Sequence, residues 1–164
     1  MNDIDYEPTA ADIMTRELVT VEHNLSVLQA AERLVDAGVS NAPVVEHDFT
    51  RQILRGLISE KDLMNCYATG AIYQRPGLKV SAIMRKHPAC IEPQTPLFTL
   101  ASVFLQSNHR HLPVVESQVL LGIVSRRDVL RAMVGHFRLW ALGDRAQRRI
   151  PDIAGLLEAE SIVE

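Results

Sequence analysis

The stretch Gly56-Leu57-Ile58-Ser59-Glu60-Lys61-Asp62 recurs later in the chain as Gly122-Ile123-Val124-Ser125-Arg126-Arg127-Asp128. Both copies have a glycine, an apolar pair, a serine and, three positions after the serine, an aspartate. An apolar run of this kind is typical of a strand, and Ser-x-x-Asp is a variant of the capping box that begins a helix. We therefore expect a strand that turns directly into a helix, twice in one chain.

The duplication extends beyond this stretch. Two other segments recur 70 positions on: residues 11–14 as 81–84, and residues 41–46 as 111–116. The offset falls to 66 at the Gly-led stretch because residues 47–55 outnumber their counterpart, 117–121. Extra residues are well tolerated in a hairpin loop. The sequence therefore indicates an internal repeat whose register changes at one loop.

Each copy has the local pattern β-α-β-β-α. In the first copy a strand is expected at 18–21, Ser26 and Gln29 have the spacing of a capping box, and Gly38 ends the helix. A hairpin of strands at 43–45 and 53–58 follows. In the second copy Thr95 is expected as the N-cap, with Pro96 as the first helical residue. Helical spacing places these apolar residues on the buried faces: Val27, Ala30, Ala31, Leu34 and Val35, then Leu97, Leu100, Ala101, Phe104 and Leu105.

These patterns predict an α+β fold of two repeats that share a core, followed by a helical C-terminal tail. The expected limits are 9–66 for the first repeat, 67–79 for a linker, 80–135 for the second repeat and 136–164 for the tail. A helix is expected over 134–150, Pro151 should break it, and a short helix should follow over 153–162.

Composition excludes several classes of protein. The chain of 164 residues is 47% hydrophobic, which is too apolar for intrinsic disorder, and its net charge of −3 argues against a sequence-independent nucleic-acid binder. No run approaches the roughly 20 apolar residues of a membrane span, and the acidic start of the chain is unlike a secretory signal. Cys66 and Cys90 form no ligand-like cluster and are expected to be reduced thiols in the cytoplasm.

The repeated Ser-x-x-Asp turn admits two interpretations. A helix start offers backbone N–H groups and a positive dipole end to a phosphate, and a neighbouring carboxylate can accept the hydroxyls of a ribose. The turn would then be a nucleotide clamp. The same four residues also form a helix cap that needs no ligand. Both interpretations stay open on the residues alone.

The order and spacing of these motifs resemble those of a known family. The Asp-Ile-Met opening, the Pro-Val-Val strand, the Gly-led strand with its Ser-x-x-Asp turn and their duplication are similar to tandem cystathionine-β-synthase (CBS) domains, a pair called a Bateman module. The resemblance covers roughly residues 9–135. It implies that the two repeats pack about a pseudo-twofold axis and leave two clefts for adenosine-containing ligands.

The resemblance also implies a residue set for each cleft, in which the aspartates hold ribose hydroxyls, the serines meet phosphate and the apolar residues sandwich adenine. The set around Asp62 comprises Leu57, Ser59, Asp62, Cys90, His109, Arg110 and His111. The set around Asp128 comprises Ile123, Ser125, Asp128, Val19, Val39, Ser40 and Asn41.

The two clefts are not expected to be equivalent. His109-Arg110-His111 resembles the phosphate-contacting His-Arg pair of the γ subunit of AMP-activated protein kinase, shifted by one position, whereas Ser40 and Asn41 are uncharged. The Asp62 cleft is therefore expected to prefer phosphorylated ligands. Arg126 and Arg127 reduce this expected difference between the clefts, since they could reach a phosphate near Asp128.

The function expected from the resemblance is a non-catalytic sensor of AMP, ADP or ATP that forms a homodimer and signals to a separate, unidentified protein. NAD and S-adenosylmethionine share the adenosine and stay open as ligands. The alternative is a ligand-free interaction module that docks a partner through its tail. An enzyme, a required cofactor and a metal site are not expected, because no nucleophile–base pair appears and His109 and His111 lack a third ligand nearby.

Overall fold

The computed structural model of the chain describes residues 6–142. Their contacts divide into two compact units. The first-repeat unit consists of Arg16–Cys90 together with Val115–Gly122, and the second-repeat unit consists of residues 6–15, Ile91–Val114 and residues 123–142.

The first-repeat unit contains the expected β-α-β-β-α pattern. Its elements are β1 (Val21–Glu22), α2 (Val27–Ala37), β2 (Asn41–Asp48), β3 (Arg51–Ser59) and α3 (Glu60–Ala68), then α4 (Ala71–Gln74), α5 (Val80–Ile83) and β4 (Arg85–Lys86). Strand β1 is parallel to β2, β2 is antiparallel to β3, and β3 is antiparallel to β4. The α+β class is confirmed.

Local signals locate helix α2 well. The Ser26 side chain accepts the N–H of Gln29, whose side chain accepts the N–H of Ser26, and Gly38 ends the helix at φ 64°. The hairpin is longer than predicted. The extra residues 47–55 extend both strands, since His47 pairs with Gln52 and Asp48 with Arg51, instead of forming an open loop.

The second-repeat unit includes α1 (Ala10–Ile13) and continues with α6 (Leu97–Gln106), β5 (His111–Glu116), β6 (Val119–Ser125) and α7 (Arg126–Leu142). In place of a strand like β1 it has a single parallel bridge between Ile91 and Val114. The predicted N-cap Thr95 is wrong. Pro96 has the extended backbone of a cap residue (φ −67°, ψ 154°), while the Thr95 hydroxyl donates to the carbonyl oxygen of Glu92. The turn of the second hairpin belongs to the first-repeat unit, where Val119 pairs with Ile53.

The structural units also differ from the sequence repeats at the N-terminal segments, which the two repeats have exchanged. Thr15, which follows the first Asp-Ile-Met, pairs with Ile123 of the second repeat through N–H···O bonds of 2.9 and 3.0 Å. Arg85, which follows the second Ala-Ile-Met, pairs with Leu57 of the first repeat. Each Gly-led strand is therefore flanked by an opening segment from the other copy.

The buried residues follow most of the predicted stripes. Val27, Ala30 and Leu34 of α2 are buried, as are Leu97, Leu100 and Phe104 of α6. The prediction is wrong for the last residue of each stripe, because Val35 is 77% and Leu105 72% exposed. Both lie at the edge of the helical face, beyond the reach of the core.

Helix α7 runs without a break from the Ser-x-x-Asp turn into the predicted tail and is described as far as Leu142. The break expected at Pro151 and the helix expected over 153–162 lie outside the described residues. Within residues 6–142, no helix combines the length and the apolar character that crossing a membrane requires. The limits predicted for the repeats, linker and tail stay predictions.

Candidate functional site

The two Ser-x-x-Asp turns have the same geometry. At the start of α3, the N–H and hydroxyl of Ser59 donate to Oδ2 of Asp62 at 2.9 and 2.6 Å, and the Asp62 N–H donates back to the hydroxyl at 3.3 Å. At the start of α7 the corresponding distances between Ser125 and Asp128 are 2.9, 2.6 and 3.2 Å. The capping interpretation of the motif is confirmed in both repeats.

The cap leaves part of the first carboxylate unused. An ionised carboxylate offers about four acceptor positions on its two oxygens, and the cap engages only Oδ2 of Asp62. Among the described residues, no group donates to Oδ1 of Asp62. The capping and ligand-binding interpretations of the turn are therefore compatible.

At the second turn, the carboxylate oxygen outside the cap has a partner. Nη1 of Arg131 lies 3.3 Å from Oδ1 of Asp128, one helical turn further along α7. The residue at the corresponding position of α3 is Asn65. In the second repeat, therefore, the aspartate oxygen that takes no part in the cap has a cationic partner.

The segment before each Pro-Val-Val strand lies beside the turn of its own repeat. In the first-repeat unit the carbonyl oxygen of Ser40 accepts the N–H of Glu60 at 2.9 Å, and Asn41 pairs with Ser59 across the hairpin. In the second-repeat unit the carbonyl oxygen of Arg110 accepts the N–H of Arg126 at 3.3 Å. The basic segment around Arg110 thus borders the Asp128 turn.

Charge therefore differs between the two turns. Arg110, Arg126, Arg127 and Arg131 surround the second, and Nη2 of Arg126 donates to the carbonyl oxygen of Ser107 at 3.1 Å. The matching residues of the first repeat are Ser40, Glu60, Lys61 and Asn65. The charges of these residues therefore favour an anion at the second turn over the first.

The remaining expected site residues are placed by strand pairing and core packing. Leu57 is paired with Arg85, and Ile123 with Thr15. Val39 packs against the first-repeat core, and Val19 is half-buried. Each expected cleft draws residues from both units, so the two combined residue sets stay predictions.

Cys90 lines a cavity of about 380 Å³ in the first-repeat unit. Burial raises the pKa of its thiol, which donates to the carbonyl oxygen of Pro88 at 3.2 Å. The sequence reasoning named only Cys90 among the lining residues, which are Leu54, Arg55, His87, Pro88, Cys90, Val115 and Gln118. Pairing between distant strands brings them together, and no local pattern predicts that pairing.

The sequence analysis also missed Arg131 as a site residue. The sequence did contain a signal for this pair, since Asp128 and Arg131 are three positions apart on one helix and side chains at that spacing meet.

Within residues 6–142, no group of three His, Cys, Asp or Glu side chains is arranged to hold a metal ion.

Comparisons with known proteins match the duplication and the fold of this chain. The family model of the CBS domain matches residues 10–69 and 80–135. The CBS-pair protein CBSX2 of Arabidopsis thaliana is 30% identical, with a TM-score of 0.68 over 81% of this chain and 99% of that one. The structure of CBSX2 in complex with AMP is 31% identical, with a TM-score of 0.67 over 78% and 97% of the two chains.

Sequence relatives are often much longer proteins. The chain spans 14% of an A-adding tRNA nucleotidyltransferase of Aquifex aeolicus (26% identical, 74% of this chain) and 24% of the γ-3 subunit of AMP-activated protein kinase of Sus scrofa (33% identical, 73% of this chain). It spans 80% of the CBS domain-containing protein YhcV of Bacillus subtilis, at 29% identity over 72% of this chain. The shared part of the enzymes is the repeat pair, so their activities do not transfer.

Proposed function

Because this chain belongs to the CBS domain family and carries two CBS domains in tandem, we propose that it is a non-catalytic regulatory module that binds adenosine-containing ligands of the AMP, ADP and ATP class. CBS pairs are regulatory modules, some of them with AMP bound. The observation that carries the proposal is the duplicated turn, in which a capped helix start keeps a carboxylate oxygen available beside it at Asp62.

The chemistry of each turn suits a nucleotide. Asp62 and Asp128 would accept ribose hydroxyls, and the apolar residues Leu57 and Ile123 would lie against the base. The Ser59 hydroxyl has one proton and donates it to Asp62, so contact with a phosphate redirects that proton to the ligand. Phosphate binding therefore loosens the cap, which links ligand binding to the start of α3.

AMP is the ligand that the comparisons support best, because a relative of 31% identity binds it. ATP, NAD and S-adenosylmethionine contain the same adenosine and differ in the charge and bulk attached to the ribose. No separate cofactor is required by this proposal.

The free thiols Cys66 and Cys90 support a reducing compartment such as the cytoplasm.

We also propose that a second copy of the chain covers the exposed apolar residues of the helices. Val35 on α2 and Met64 on α3 are exposed, and their counterparts Leu105 on α6 and Leu130 on α7 are exposed too. Large apolar residues exposed in the same way in both repeats are typical of an interface.

Charge favours a head-to-tail arrangement of the two copies. A groove of about 490 Å³ along α2 and α3 is lined by Glu32, Asp36 and Glu60 in addition to apolar side chains. The counterpart of Glu60 in the second repeat is Arg126. The first repeat of one copy is therefore complementary to the second repeat of the other.

Isothermal titration calorimetry of the purified protein against AMP, ATP, NAD and S-adenosylmethionine tests the proposed function. We expect micromolar binding of at least one ligand, lost in the double variant Asp62→Ala/Asp128→Ala. Absence of heat from all four ligands with a folded protein would overturn the proposal. The protein would then be an interaction module, and the search would turn to a partner of the tail.

A further inference from the structure

The two Ser-x-x-Asp turns have the same capping hydrogen bonds to Oδ2 of the aspartate, but the partner of the other oxygen, Oδ1, differs between them. Oδ1 of Asp128 faces Nη1 of Arg131 at 3.3 Å, whereas no described residue donates to Oδ1 of Asp62, and Asn65 stands where Arg131 would be. The difference is confined to one position in a motif that is otherwise duplicated with distances equal to within 0.1 Å.

Arg131 can leave Asp128 without damage to the fold. Its side chain is 72% exposed while that of Asp128 is 16% exposed, so the guanidinium lies at the surface and the carboxylate lies largely below it. An exposed ion pair is weak, and a competitor has to overcome a preference of no more than about fivefold. The cap does not depend on Arg131, because the Ser125 groups bind Oδ2.

We infer that Arg131 makes the second-repeat site selective for ligands that carry a phosphate. This inference rests on the proposed function. A neutral nucleoside that places a ribose hydroxyl on Oδ1 has to compete with the guanidinium of Arg131 for that oxygen. A nucleotide offers the guanidinium a phosphate in exchange, and a 5′-phosphate, one methylene from the ribose, lies within the length of an arginine side chain. The displaced cation then contributes to binding instead of opposing it.

The neighbouring charges act in the same direction. Arg110, Arg126 and Arg127 lie beside the Asp128 turn, and Arg126 is held in part by the carbonyl oxygen of Ser107. The first-repeat site has Asn65 in place of Arg131 and Glu60 in place of Arg126, so it binds adenosine with less regard to phosphate. This inference is the reverse of the preference expected from the resemblance, which assigned Arg110 to the Asp62 cleft.

Reciprocal exchange of the two matched residues tests the inference. Arg131→Asn is made in the Asp62→Ala background, so that calorimetry reports chiefly on the second-repeat site, and Asn65→Arg is made in the Asp128→Ala background. Adenosine and ATP are titrated into each variant and into its parent. We expect Arg131→Asn to raise adenosine affinity two- to fivefold and to lower ATP affinity about fivefold. Asn65→Arg should shift the ratio of the two affinities in the opposite direction.

Arg138→Asn is the matched control. It removes the same charge as Arg131→Asn, but from a position on α7 that is two turns further along the helix. It should leave the ATP-to-adenosine ratio unchanged. An unchanged ratio in Arg131→Asn, or an equal change in Arg138→Asn, would overturn the inference and leave the proposed function in place. If neither ATP nor adenosine binds the unaltered protein, it is the proposed function that fails.

Discussion

The carbonyl oxygen of Arg85 lies so close to Gly56 that a Cβ atom added to the glycine would be 2.6 Å from it. Strand β4 is antiparallel to β3 at this point, with Gly56 paired to Lys86 and Leu57 to Arg85. Met84 approaches the same position, with its sulfur 2.9 Å from an added Cβ. The glycine that opens the repeated motif is therefore required by the exchanged segment that packs on it.

Gly56→Ala should destabilise the protein by about 1–3 kcal/mol, because a backbone atom must shift to admit the methyl group. Urea unfolding followed by circular dichroism measures the change. Gly77→Ala is the control, since an added Cβ there meets nothing within 4 Å, and its stability should stay within about 0.5 kcal/mol of the parent. Equal stability of Gly56→Ala and the parent would contradict the close approach.

In the Asp128→Ala background, where calorimetry reports chiefly on the first-repeat site, Asp62→Ala should weaken binding of AMP by roughly ten- to hundredfold, since it removes a charge-assisted hydrogen bond of about 1.5–3 kcal/mol. Calorimetry measures the affinity. Gln29→Ala removes the partner of Ser26 in a capping box of the same kind with no proposed ligand, and should leave the affinity unchanged. An unaltered affinity in Asp62→Ala would remove Asp62 from the ribose role.

Arg110→Ala should reduce the affinities for AMP and ATP more than the affinity for adenosine, because only the nucleotides carry an anion for the guanidinium to meet. Titrations of the three ligands into the variant and the parent measure the difference. If adenosine loses as much affinity as ATP, Arg110 acts on the fold of the site and does not contact phosphate.

Cys90 should react with iodoacetamide much faster than Cys66, because Cys90 is exposed and Cys66 is buried. Although Cys90 is exposed, the cavity that it lines partly desolvates its thiol and raises the pKa, so the rate should keep increasing with pH beyond about 8.5, the usual thiol value. Mass spectrometry follows the labelling. Saturating AMP should slow labelling of Cys90, as expected of a residue at the ligand site, and a rate unaffected by bound AMP would exclude it.

Val35→Asp and Leu105→Asp should each weaken the proposed dimer by at least about tenfold, since either variant places an unpaired carboxylate in an apolar interface. Sedimentation velocity over a range of concentrations measures the association. Phe49→Asp is the control, because Phe49 is 99% exposed in the first hairpin turn, away from these helices. A parent protein that sediments as a monomer throughout would contradict the dimer.

Short-range patterns in the sequence predicted the fold well. The capping box of Ser26 and Gln29 and the left-handed Gly38 follow from residues within one or two helical turns, and both were found where expected. Thr95 was misplaced because Pro96 already has the backbone conformation of a cap. Val35 and Leu105 were misplaced because helical spacing identifies a face without showing how far the neighbouring core extends.

The candidate site was predicted in part. The Ser59 and Asp62 pair is local, so its hydrogen bonds could be anticipated from a three-residue spacing. The position of Arg110 beside Arg126 could not, since sixteen positions and a hairpin separate them and only the folded backbone brings the carbonyl to the amide.

The duplication, the capped turns, the α+β class and the family resemblance are all present in the order of the residues, because each depends on contacts between near neighbours or on a comparison of one half of the chain with the other. The exchange of N-terminal segments pairs Arg85 with Leu57 and Thr15 with Ile123, which are far apart in the sequence. Many long-range pairings are compatible with the same apolar pattern, and the packing of the whole chain selects among them. For the same reason the exposed edge at Val35 became evident only in three dimensions.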